Sequence, residues 1–111
     1  MATISNLYVD AGSTYSNIIT VTASNGQPLN LTGYSVASQM RKSYQSSVAY
    51  NFTASVVDAA AGKIRLQLTN TQSEVIPAGR WLYDVEITSA SGTKTRVVEG
   101  IVTVNPQITQ I

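Results

Sequence analysis

The feature that most constrains this chain is a period-two alternation of apolar and polar side chains that recurs along its length. It is plainest over residues 66–104. One run ends in Leu66-Gln67-Leu68-Thr69. A short polar segment, residues 70–74, leads into Ile76-Pro77-Ala78-Gly79. A second run follows, Trp81-Leu82-Tyr83-Asp84-Val85-Glu86-Ile87, then a Gly-containing turn and a last strand over residues 97–104. Successive side chains of a strand point to opposite faces, so this pattern writes one buried and one wetted face. No stretch shows a sustained helical period. The chain can therefore bury its apolar residues only by packing sheet faces together.

The same reading predicts seven strands, over residues 3–9, 17–23, 34–42, 48–57, 63–69, 80–88 and 94–104. In the second, Ile19, Val21 and Ala23 share a face. In the third, Tyr34, Val36, Ser38 and Met40 do. Val48, Tyr50, Phe52, Ala54 and Val56 share a face of the fourth. Ile64, Leu66 and Leu68 point inward from the fifth, against Lys63, Arg65 and Gln67 outward. Trp81, Tyr83, Val85 and Ile87 face the core from the sixth. In the seventh, Val98, Gly100, Val102 and Val104 alternate with Val97, Glu99, Ile101 and Thr103; both sets are apolar enough to leave the inward face open.

Turn chemistry separates the runs. Asn25-Gly26 tolerates positive φ at both positions, and residues 58–62 and 89–93 read as turns. Thr71-Gln72-Ser73-Glu74 matches a capping box, which predicts one helical turn stopped by Pro77. Seven short strands with turn signals every 8–12 residues are the signature of an immunoglobulin-like domain. The expected fold is therefore all-β: an immunoglobulin-like β-sandwich of about seven antiparallel strands, in one domain over residues 1–111.

Composition narrows the chemistry. Seven Lys and Arg against six Asp and Glu give a net charge of +1, and no basic stripe exists to replace phosphate counterions, so nucleic-acid binding is not expected. Charged residues are 12% of the chain, about half the usual share. There is no cysteine, which excludes disulfides and thiol nucleophiles, and no histidine, the usual general base and commonest metal ligand. No apolar run approaches the roughly 20 residues of a membrane helix. Residues 1–6 lack a basic and an apolar region, so no signal peptide is read there. The chain starts at Met1 and its last strand closes near the end, as expected of a small gene product or of a piece cut at a domain edge.

Several constellations of residues could form sites. Asp84 and Glu86 lie two apart on one strand and share its wetted face. They could be a glycosidase dyad or half a calcium site, or plain outward positions facing Arg96 or Lys94 across the hairpin. No third oxygen donor is near in sequence, which favours the plain reading. Asp10 with Asp58 could form a loop metal site, but nothing in sequence brings them together. Ser and Thr are plentiful, yet none sits in a nucleophile elbow, and a triad needs His. Asn30-Leu31-Thr32 and Asn51-Phe52-Thr53 match the glycosylation sequon. Of the aromatic residues, Trp81, Tyr83, Tyr34 and Tyr50 are expected in the core, while Tyr15 and Tyr44, in or near turns, are surface candidates for stacking on sugars. No catalytic, cofactor-binding or metal-ligating residue is assigned, and no cofactor is expected. An enzyme is not expected.

The segments Gly62-Lys63-Ile64-Arg65-Leu66-Gln67-Leu68-Thr69, Thr71-Gln72-Ser73, Ile76-Pro77-Ala78-Gly79 and Tyr83-Asp84-Val85-Glu86-Ile87 carry a resemblance. So do Leu29-Asn30-Leu31-Thr32-Gly33-Tyr34 and the closing Val98 to Pro106. Together they resemble small immunoglobulin-like structural proteins of tailed bacteriophages, including the N-terminal domain of baseplate upper proteins. The resemblance implies a non-enzymatic virion structural protein of tail, baseplate or capsid decoration type, acting by protein–protein docking. It implies other virion proteins as partners, synthesis in the host cytoplasm, and neither nucleic acid nor membrane as a partner. Homo-oligomerisation is a further expectation: Ile108 and Ile111 in the C-terminal tail, or residues 1–5, could pair with a neighbour's sheet edge, or equally be frayed ends. The alternative is a carbohydrate-binding or adhesin-type module, with a glycan held on exposed Tyr residues.

Overall fold

The computed structural model describes residues 3–23, 25–43 and 45–106. Its elements follow in chain order as β1 (Thr3–Ile4), β2 (Leu7–Asp10), β3 (Tyr15–Thr20), β4 (Ser35–Arg41), β5 (Ala49–Asp58), β6 (Lys63–Leu68), α1 (Asn70–Glu74), β7 (Gly79–Thr88) and β8 (Lys94–Asn105). Each predicted strand is present, with ends shifted by up to three residues, and the first is split in two.

The strands form one curled sheet, in the order β1-β8-β7-β4-β5-β6-β3, with β2 also on β8. The curl comes from β5, which serves two neighbours in turn. Its first residues pair with β4, from Arg41↔Ala49 to Ser38↔Phe52. From Thr53 onward it pairs with β6 instead. A strand that changes partner midway turns the sheet back on itself, as at the corners of orthogonal packings. The two arms so formed, β1/β2-β8-β7-β4 and β3-β6, enclose one core.

One expectation is corrected here. The strands are not all antiparallel: β1 and β2 run parallel to β8, with Thr3 beside Val98 and Leu7 beside Val102. Period-two alternation reports which face is buried and says nothing of a strand's neighbour or direction, so this pairing had no local signal.

The core follows the alternation. Leu7 and Val9 of β2, Met40 of β4, Phe52 of β5, Ile64, Leu66 and Leu68 of β6, and Trp81, Tyr83, Val85 and Ile87 of β7 are buried. The open question at β8 resolves to Val98, Val102 and Val104 inward. A bulge displaces the register between Val85↔Val98 and Glu86↔Arg96, which leaves Val97 over, packed against the core beside Val98. Both faces of the sequence looked apolar because the bulge lets two consecutive valines reach the interior. Val48, expected on the inward face, precedes β5 and is exposed.

The helical turn is where it was expected, but its cap is not. Thr69, not Thr71, is the N-cap: its hydroxyl accepts from the Gln72 N–H, and the Gln72 side chain accepts from the Thr69 N–H. The helix ends at Glu74, before Pro77. Ser73 is fully buried. Its hydroxyl accepts from Gly12 N at 3.0 Å and donates to Ser13 O at 2.8 Å, pinning α1 to the β2–β3 turn.

Candidate functional site

Two buried aromatic side chains of β7 tie it to its neighbours. Trp81 donates from its indole nitrogen to Pro77 O at 2.9 Å and meets Tyr50 edge-on at 5.4 Å between centroids. Lys42 Nζ sits 4.8 Å over the Trp81 ring. Tyr83 donates its hydroxyl to Ser5 O at 2.5 Å. Ser5 and Asn6 interrupt β1 and β2 opposite Gly100. A Cβ on Gly100 would collide with the Ser5 carbonyl, so glycine is what lets that carbonyl turn inward. Burial pushes the Tyr83 phenol up to about 12, against the smaller opposing effect of its bond to Ser5.

The outward side of β1, β8, β7 and β4 forms a hollow of about 590 Å³. The register sets its rows: Gln39, Asp84, Glu99 and Ile4 lie side by side, and Arg41, Leu82 and Ile101 in the next. Asp84 and Glu86 both line it, as their spacing predicted. Arg96 answers the first: its Nε donates to Asp84 Oδ2 at 3.0 Å and its Nη1 reaches Glu99 Oε2 at 3.4 Å. Partial burial raises the Asp84 carboxyl above its usual value. Arg96 pulls it back, and Glu86 adds to the rise. Asp84 in turn holds the Arg96 guanidinium more firmly in its charged form. The pair is thus an outward cross-strand ion pair. Apolar side chains share the hollow, with Ile4 and Ile101 exposed and Leu82 half-buried. A surface of this composition can dock a polypeptide; among the described residues that line it, no nucleophile has a base beside it.

A second hollow, of about 430 Å³, opens where β5 leaves β4. There Ser35, Val36 and Ala37 keep β7 on one side, while the β4–β5 ladder starts only at Ser38. It shares Gln39, Asp84 and Glu86 with the first hollow.

The remaining candidates disperse. Among the described residues no group of three or more acids that could hold a metal ion occurs. Asp10 accepts from Asn105 Nδ2, and Asp58 accepts from Ala61 N, each within its own turn or edge. Asn51 is exposed on β5, and the Asn30 side chain is turned onto Thr32. Tyr15, expected at the surface, is instead half-buried in β3 with its ring 6.0 Å from Phe52, because the strand begins two residues earlier than its alternation suggested. Tyr34 and Tyr50 pack against the core. Tyr8 is the one aromatic side chain among the described residues that stands largely exposed, at 68%. Tyr44, Ile108 and Ile111 lie outside the described residues. No described helix is long and apolar enough to cross a membrane.

These features define a small, nearly all-β domain with a curled sheet of eight strands and a hollowed outer face. The N-terminal domain of phage TP901-1 ORF48 shares this fold: it superposes with a TM-score of 0.64 over 91% of this chain and 85% of that one, at 12% identity. Part of the Listeria monocytogenes internalin-like protein lmo2027 aligns with a TM-score of 0.49 and 12% identity, over 94% of this chain and 28% of that one. No protein-family model and no curated protein matches the sequence.

Proposed function

We propose that this chain is a structural module of a tailed-phage virion that works by docking to other virion proteins, without catalysis. The observation that carries the reading is the shared fold with a phage domain across nine-tenths of the chain, joined to the phage-like motifs of residues 29–106. The outer face of β1, β8, β7 and β4 is the docking surface, since it combines a hollow, exposed isoleucines and a fixed ion pair. The curl is best described as immunoglobulin-like, with β7 as the central strand that carries the aromatic anchors. The absence of histidine and cysteine, and the engagement of Asp84 by Arg96, support the non-enzymatic reading.

The test is deletion of the gene from the phage that carries it, followed by electron microscopy and mass spectrometry of the particles. The expected result is a missing tail, baseplate or capsid feature, with the protein present in wild-type particles. Wild-type particles that lack the protein, with mutant particles unchanged, would overturn the reading.

A further inference from the structure

One edge of the curled sheet is built to accept another strand. β3 pairs with β6 on one side and closes the sheet on the other. The Val21 N–H donates to Gly62 O at 2.7 Å, so Val21 points toward the β6 side. Hydrogen-bonding direction alternates along an antiparallel strand. Ile19, Asn17 and Tyr15 therefore also point their backbone groups toward β6. The N–H and C=O groups of Ser16, Ile18 and Thr20 point to the open edge, and no described residue bonds to them.

Natural sheets protect such edges with Lys, Pro, bulges or short strands. β3 has none of these. It is six residues long, in regular register from Tyr15 to Thr20, with no charge, proline or glycine. Ile18, at its centre, is 49% exposed. The opposite edge is protected: it is broken at Ser5 and Asn6, and β2 ends in Asp10.

We infer that β3 pairs with β3 of a second copy of this chain, antiparallel about a two-fold axis at Ile18. The sequence is self-complementary in that register. Ile18 faces Ile18 of the partner copy, Ser16 faces Thr20, and Thr20 faces Ser16. All six open backbone groups of each copy then find partners. Shifting the register by one residue would set open groups against groups already used by β6. No like charges meet, because β3 carries none and the cations of β6, Lys63 and Arg65, stand one strand back on each side. The interface is isologous and closes at two copies. It stands apart from the virion reading, which the gene deletion decides separately.

The chain has no cysteine, so single-cysteine variants read the register directly. Residues opposed in a hydrogen-bonded pair have Cα atoms about 5.5 Å apart, within disulfide range. Ile18→Cys is expected to form a disulfide dimer under mild oxidation, whereas Tyr8→Cys, on the other edge, stays monomeric. Sedimentation of the wild type is expected to show a concentration-dependent dimer. Ile18→Lys, which sets two cations face to face at an exposed site, weakens it about tenfold or more while leaving the dilute melting temperature near wild type. A wild type that is monomeric at every concentration, with no Ile18→Cys disulfide, overturns the inference. So does a dimer indifferent to Ile18→Lys, or one captured by Tyr8→Cys instead.

Discussion

Replacing Tyr83 by Phe tests the anchor between β7 and the N-terminal strands. The substitution keeps the ring, which is 4% exposed and packed edge-on against Phe52, and removes only the hydroxyl. At neutral pH it deletes the bond to Ser5 O and leaves that carbonyl without its partner. The expected cost is about 1–3 kcal/mol, or roughly 4 °C of melting temperature per kcal/mol for a domain of this size. The pH dependence is more diagnostic. The folded phenol titrates at about 12, against an ordinary value of 10.0. The folded state thus holds this proton more tightly than the unfolded state. Its stabilisation is complete below pH 10 and is lost as pH rises through 12. Two pH units at about 1.36 kcal/mol each make the loss about 2.7 kcal/mol. Urea unfolding from pH 7 to pH 12 should therefore show the wild type's advantage over Tyr83→Phe shrinking above pH 10 and vanishing near pH 12. Parallel curves, with a constant gap across that range, would refute both the burial of the hydroxyl and the anchor's role.

Further outcomes follow from the same packing. Gly100→Ala drives a methyl group into the Ser5 backbone and should cost about 1–3 kcal/mol by urea unfolding, with the N-terminal strands losing hydrogen-exchange protection first. Trp81→Ala should cost about 3–5 kcal/mol, read from thermal or urea unfolding, since the indole is buried and bonded to Pro77. Ser73→Ala strands the Gly12 N–H and the Ser13 carbonyl and should cost about 1–3 kcal/mol in the same assay. Asp84 has a raised folded-state value, so its contribution is most favourable at low pH and declines as pH rises through the carboxylate range. The stability of Asp84→Asn relative to wild type should accordingly improve from acid to neutral pH, measured by thermal melts.

Much of this architecture was legible because burial has a period. The inward faces of β4, β6 and β7 are those the alternation marks, down to Ser38 and Met40. The outward pair Asp84 and Glu86 and its contact with Arg96 could be read from strand spacing and one hairpin. What escaped were the features that depend on partners far away in sequence. Nothing in Ala49 to Asp58 announces that the strand changes neighbour at Thr53, since alternation continues through the bend. Nothing near Leu7 announces a parallel neighbour 95 residues on. The sequence pattern sets the cap two residues late, since Thr71 and Glu74 offer a second match to the motif that Thr69 and Gln72 form. The open edge of β3 was also invisible, because a strand's pairing state is a property of the sheet.

The parallel pairing of β2 with β8 has a consequence for how the molecule is made. The Asp10–Asn105 contact spans 95 residues. Its two halves lie far apart in the chain, so β2 is synthesised well before β8. Until β8 exists, β7 lacks one neighbour and β2 lacks the strand it pairs with. The final closure is thus a long-range event whose loop entropy is met before its contacts form, which makes folding slow for the molecule's size. During that interval a nascent chain exposes unpaired strands that a second nascent chain could occupy. Expression at low temperature and low synthesis rate should therefore raise the soluble yield.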